Sequence, residues 1–140
     1  MGFFFYGNYG GPGWSGGQYV NPGEAVDYTV KPKDSLDALF RDHDMAYDGA
    51  DAARNQGNTA DYWNKTIQAD NALINGVTNF LNNAGVADAD IVPTAIAAAT
   101  AFVFKQKYYN TPNQDKAPPS AADQRAVDDF CWDRPIKMPL

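Results

Sequence analysis

Two apolar stripes at helical spacing, separated by a short break, constrain this chain more than any other feature. Leu36, Leu39, Phe40, His43 and Tyr47 recur on one face, which predicts a helix from about Ser35 to Arg54. Pro32 and Asp34-Ser35 supply its start. Trp63, Ile67, Asp70, Ile74, Val77 and Leu81 then step by four and three, which predicts a second helix from about Ala60 to Asn83. Gln56-Gly57-Asn58 closes the first, and Asn58 or Thr59 caps the second. So short a link makes the two helices antiparallel neighbours. A third helix is expected from about Asp90 to Tyr109, with Pro93 in its first turn. A Pro/Asn loop over 110–119 follows, then a last helix from about Ser120 to Trp132 and an extended tail from Arg134 to Leu140. Residues 1–33 read as a glycine-rich irregular loop, with Val26–Val30 alternating as a short strand would. The class expected is mostly α, in a single domain of 140 residues.

Composition removes several function classes. A net charge of −6 argues against nucleic acid as a partner, and against purely electrostatic attraction to anionic lipid. Aromatic residues make up 14% of the chain, so a membrane contact would use Trp, Tyr and Phe. The single cysteine, Cys131, excludes a disulfide framework and a cysteine-rich zinc site, and beside Phe130 and Trp132 it reads as a small core residue. The apolar run Ile91 to Phe104 falls short of the ~20 residues a bilayer span needs. No basic segment followed by an apolar one marks a signal peptide.

The chain's only histidine, His43, heads the run His43-Asp44-Met45-Ala46-Tyr47. Imidazole is the side chain best suited to proton transfer near neutrality. Asp70 interrupts an apolar seam, which is costly for a carboxylate unless a donor meets it. Taken singly, each part has a plainer reading: a core histidine beside a surface carboxylate, or a buried Asp bonded to the backbone or a Tyr. Together they are more specific. Antiparallel helices bring Asp70 towards His43, and Tyr47, one turn further along, can donate to the same carboxylate. A His–Asp pair that holds one tautomer makes the other ring nitrogen a general base. Asp44 lies roughly 100° around the helix from His43 and is left for a cation. The loop Tyr6-Gly7-Asn8-Tyr9-Gly10-Gly11-Pro12-Gly13-Trp14 can turn carbonyl oxygens towards one point. One carboxylate with several carbonyls suits Ca²⁺ better than zinc.

These motifs carry a resemblance. Tyr6-Gly7-Asn8-Tyr9-Gly10-Gly11-Pro12-Gly13 resembles the calcium loop of secreted phospholipases A2, His43-Asp44 with Tyr47 resembles their catalytic helix, and Ala69-Asp70-Asn71-Ala72 resembles their second helix. The flavour is closest to the disulfide-poor phospholipase A2 domains of parvovirus capsid proteins. The resemblance covers roughly residues 6–81, in order. It implies that His43 activates the water attacking an sn-2 ester, that Asp70 orients His43, and that Tyr47 bonds Asp70. It further implies that Asp44 and the carbonyls of Tyr9, Gly11 and Gly13 hold Ca²⁺, and that the Gly11 N–H serves the oxyanion. The implied partner is a phospholipid bilayer or micelle, met through Phe3, Phe4, Phe5, Trp14 and Tyr19; the same aromatics could instead close the core over the loop. The implied setting is secreted, extracellular or virion-associated. The family's loop cysteines are absent, with Asn8 and Gly10 in the loop, and no amphipathic helix precedes it.

Two other readings stand beside this one. Gly13-Trp14-Ser15-Gly16-Gly17 matches the serine-hydrolase elbow, which requires a strand before Ser15 and a helix after it. A calcium-dependent lipid-binding or toxin-like module without catalysis would use the same loop.

Overall fold

The computed structural model describes residues 5–137, with side chains through 132. The chain is mostly helical with one small two-stranded sheet. The first long helix, α1, spans Ser35–Asn55, and the second, α2, spans Thr59–Asn82. Both begin as the sequence predicts. Asp34 accepts the Asp37 N–H at 2.9 Å, and Asn58 accepts the Asp61 N–H at 3.0 Å. Gly57 takes φ +75°, the left-handed conformation that turns the chain between them.

The two helices pair antiparallel: Leu39 lies against Gly76, His43 against Asp70, and Gly49 beside Lys65. A Cβ on Gly76 would stand 2.6 Å from Leu39 Cδ2, so glycine is what permits the close approach. The buried seam of α2 runs through Trp63, Thr66, Asp70, Leu73 and Val77, while Ile67, Ile74 and Leu81 lie at its margin. The apolar stripe is therefore rotated slightly from the expected one, with Asp70 still at its centre.

Helix α3, Val92–Lys105, follows a 3₁₀ turn at Val86–Asp88 and carries Pro93 in its first turn. Ala95, Ala98 and Ala101 are fully buried, and these small side chains let α3 lie close in the core. The expected end at Tyr109 and loop over 110–119 need correction. The helix widens into a π segment, Gln106–Asn110, and closes with α4, Thr111–Asn113. Bonds to α2 hold the widened turn: Gln106 Nε2 donates to the Ile67 carbonyl at 3.0 Å and to Asn71 Oδ1 at 2.7 Å.

The last helix, α5, spans Ala121–Lys137, so residues 134–137 are helical rather than an extended tail. A proline near a helix end removes few hydrogen bonds, which is how Pro135 is tolerated. Phe40, Leu73, Val77, Phe102 and Trp132 form the centre of the core with Tyr9 and the alanines. Cys131 is buried, as expected.

Residues 26–30 form no strand. Asp27 Oδ1 accepts from the Thr29 N–H at 2.9 Å and from its hydroxyl at 2.5 Å, and these local bonds fold the segment into a turn. The sheet is a hairpin instead: β1, Trp14–Ser15, pairs antiparallel with β2, Gln18–Tyr19, with Trp14 opposite Tyr19. Gly16 and Gly17 at φ +63° and +77° make its two-residue turn.

Candidate functional site

Asp70 is fully buried and is the hub of the site. His43 Nε2 lies 2.6 Å from its Oδ1. The Tyr47 hydroxyl stands 2.8 Å from Oδ1 and 2.9 Å from Oδ2, sharing one proton between them. Asn110 Nδ2 donates to Oδ2 at 2.6 Å. Lys105 Nζ, itself buried, stands 3.7 Å from Oδ2, donates to the Tyr47 hydroxyl, and pairs with Asp128 at 2.9 Å. His43 also meets Phe102 edge to face, ring centroids 4.5 Å apart.

Burial alone would push the Asp70 carboxyl up. The Lys105 charge and the bonds from His43 and Tyr47 overcome it and hold the group below the usual carboxylate range. Burial likewise works against the Lys105 ammonium, and Asp128 and Asp70 raise its pKa nonetheless. An anionic Asp70 must be met by donors, so His43 presents Nε2–H to it. The other ring nitrogen, Nδ1, then keeps its lone pair on a ring that lines the cavity.

The lowered Asp70 pKa has a stability consequence. Its contribution is fully present above the unfolded value of about 3.9 and drains as pH falls through the lower folded value. Thermal melts followed by circular dichroism should show wild type losing melting temperature on that acid limb. Asp70→Asn should melt lower near neutrality and show a flatter limb; parallel curves would contradict the assignment.

The loop stands over the start of α1. Tyr6 and Gly10 exchange main-chain bonds of 2.9 and 2.8 Å. The Asp37 carboxylate, fully buried, accepts the N–H groups of Asn8 at 2.9 Å, Tyr9 at 2.9 Å and Lys33 at 2.7 Å. Asp34 takes the Tyr6 hydroxyl. These bonds tie loop to helix without disulfides. Gly11 and Gly13 at φ +120° and +69° give the loop a path other residues would strain to follow.

A cavity of about 450 Å³ has Tyr9, Gly11, Gly13, His43, Asp44 and Asp128 among its lining residues. The histidine, the adjacent carboxylate and the loop are thus on one space. Asp44 is partly buried and accepts the Ser15 hydroxyl at 2.7 Å. Burial raises its pKa well above the usual, and the charges of Asp48, Asp128 and Asp37 add to the rise against the Ser15 bond. Such a carboxylate is short of counter-charge, and a bound cation would relieve it. The Gly11 carbonyl already accepts the Trp14 N–H at 3.2 Å, and the Gly13 carbonyl the Val20 N–H at 2.8 Å; each keeps a second lone pair. Among the described residues no three His, Cys, Asp or Glu side chains cluster as a metal cage. The donor set that is present, carboxylate plus carbonyls, fits a hard, oxygen-seeking cation. One feature competes with it. The Arg125 guanidinium presses against Gly13, where a Cβ would sit, and donates to the Val20 carbonyl.

Ser15 lies in the hairpin, with a two-residue strand before it and no helix directly after. The strand–turn–helix setting of a nucleophile elbow is therefore not present. Phe5, Trp14 and Tyr19 gather with ring centroids 5.3–5.4 Å apart, and Tyr19 is 68% exposed. Trp14 also lines the cavity, which places this cluster at its rim. Phe3 and Phe4 lie outside the described residues. Among the described residues no helix is long and apolar enough to cross a membrane.

Sequence reasoning missed Asp37, Lys105, Asn110 and Asp128. Lys105 had a signal, because it continues the Ala98, Ala101 and Phe102 stripe at helical spacing. Asn110 had none, since the π segment shifts its register. Comparison with protein-family models, curated proteins and solved structures returns no match.

Proposed function

We propose that the chain is a calcium-dependent phospholipase A2, releasing the sn-2 fatty acid and a lysophospholipid. The observation that carries the reading is the His43–Asp70 bond, which leaves Nδ1 as base on the cavity shared with Asp44 and the loop. His43 Nδ1 takes a proton from water as the water oxygen attacks the ester carbonyl. Asp70, held by Tyr47, Asn110 and Lys105, balances the imidazolium that forms. The same ring then hands the proton to the departing glycerol oxygen. Gly11 N–H is assigned to the developing oxyanion. Ca²⁺ held by Asp44 and the carbonyls of Tyr9, Gly11 and Gly13 would supply charge for that oxyanion and polarise the ester. The Phe5, Trp14 and Tyr19 cluster is assigned to the lipid interface. With so few carboxylates, affinity in roughly the 10⁻⁴–10⁻³ M range is expected, which suits a secreted, extracellular or virion-borne protein.

The test is hydrolysis of phospholipid labelled separately at sn-1 and sn-2, with Ca²⁺ or with EGTA. Calcium-dependent sn-2 release is expected; release from sn-1, or undiminished release in EGTA, would overturn the reading. The Arg125 guanidinium against Gly13 favours a second reading, a calcium-dependent lipid-binding or toxin-like module. Liposome binding that requires Ca²⁺ without fatty-acid release would select it.

Asp44→Asn separates metal binding from folding. Because burial disfavours the Asp44 charge, the neutral amide should leave the metal-free melting temperature unchanged or higher. Calcium affinity by calorimetry should fall by about tenfold or more, as expected when a charge-assisted contact is lost. Unchanged affinity would remove Asp44 from the site.

A further inference from the structure

Lys105 stands apart from the groups already given a role. It comes from α3 rather than from either long helix, is 2% exposed, and reaches no solvent-facing partner except Asp128, which lines the cavity. A buried ammonium is expensive, and salt bridging alone is weak evidence of a reason for it. The direction of its bonds supplies one. An ammonium has donors and no acceptor, so in its contact with the Tyr47 hydroxyl the tyrosine oxygen must accept. The hydroxyl has one proton, and the carboxylate oxygens of Asp70 at 2.8 and 2.9 Å are where it goes. Every bond in the chain therefore runs towards Asp70: from Lys105 through Tyr47, from Asn110, and from His43.

We propose that Lys105 is a positioning residue, whose ammonium sets the direction of the Tyr47 hydroxyl and, through Asp70, fixes His43 as the Nε2–H tautomer. The inference rests on the reading of His43 as the base, but its signature does not require turnover. With the ammonium gone, the Tyr47 hydroxyl is free to reverse, and the buried carboxylate loses its nearest cation. Asp70 then has reason to take up a proton, and His43 Nε2 can accept as well as donate. A ring that samples both tautomers presents its lone pair to the cavity only part of the time.

The chain has one histidine, so ring nitrogen resonances of the full protein labelled with ¹⁵N-histidine belong to His43 alone. In buffer well above the ordinary histidine range, wild type should show one protonated Nε2 and one unprotonated Nδ1. The Lys105→Met/Asp128→Asn double variant removes the ammonium together with its second carboxylate and keeps net charge. It should show averaged nitrogen shifts, and a kcat lower by about tenfold or more with KM little changed. Lys105→Gln, which keeps a donor without the charge, serves if the double variant does not fold, and should show the same averaging in weaker form. A folded variant of either kind that keeps the pure Nε2–H signature overturns the inference. If wild type shows the signature, the variants lose it and no form hydrolyses lipid, the positioning role stands and the enzyme reading falls.

Discussion

His43→Gln should reduce lipid hydrolysis by about 10³-fold or more while the chain stays folded, since general-base catalysis contributes on the order of 10²–10⁴. The expectation of a folded variant comes from the geometry. Asp70 needs a donor within reach of Oδ1, where His43 Nε2 now stands at 2.6 Å. The glutamine amide can supply an N–H from nearly the same direction, so the buried carboxylate is not orphaned, as it would be by alanine. What glutamine lacks is a basic nitrogen facing the cavity. The loss should therefore appear in kcat, with KM and calcium affinity close to wild type. A folded variant that hydrolyses phospholipid at the full rate would end the proposal that His43 is the base. Loss of calcium binding together with activity would instead point to a rearranged cavity, and α1 ellipticity with a calorimetric titration distinguishes the two.

The parts of this arrangement that sequence revealed are those with helical periodicity. The ends of α1 and α2 were legible because Asp34, Gly57 and Asn58 use ordinary capping chemistry. Antiparallel pairing followed from the short link, and Asp70 stood out as a charge in an apolar seam. Tyr47 was legible through its one-turn spacing from His43. The remainder depends on contacts between elements distant in sequence. Asp128 is about 60 residues from Asp70, and nothing in its exposed-looking context, Val127-Asp128-Asp129, separates it from a surface acid. Asn110 reaches Asp70 only because α3 gains an extra residue in its π segment, a feature without a residue code. Val26–Val30 alternates like a strand, yet Asp27 caps its own following backbone and there is no neighbouring strand to pair with. A period of two marks a strand only where a partner exists.

Asp37→Ala should be the most damaging change outside the dyad. Asp37 looked like a first-turn acid favoured by the helix dipole, which is worth only about 0.3–1 kcal/mol. In the fold it is fully buried and carries the loop, accepting from Asn8, Tyr9 and Lys33. Bonds to a charged acceptor contribute about 1.5–3 kcal/mol each, and the three are not independent. Alanine would leave those N–H groups without their acceptor, one of them belonging to Tyr9, which is 1% exposed and packed in the core. A loss of about 3–5 kcal/mol is expected, near the upper end for a single substitution. Protease sensitivity should rise first across residues 6–13, before helical ellipticity falls, because the lost bonds join loop to helix rather than helix to helix. Calcium response should weaken in step, since Tyr9, Gly11 and Gly13 would no longer be held beside Asp44. Asp37→Asn tests the role of charge: its amide oxygen can still accept, but its NH₂ faces a donor, so it should fall between wild type and alanine. If cleavage of the loop and calcium affinity are both unchanged in Asp37→Ala, the loop is held by its own turns and by Arg125, and Asp37 is not the tie that stands in for the missing disulfides.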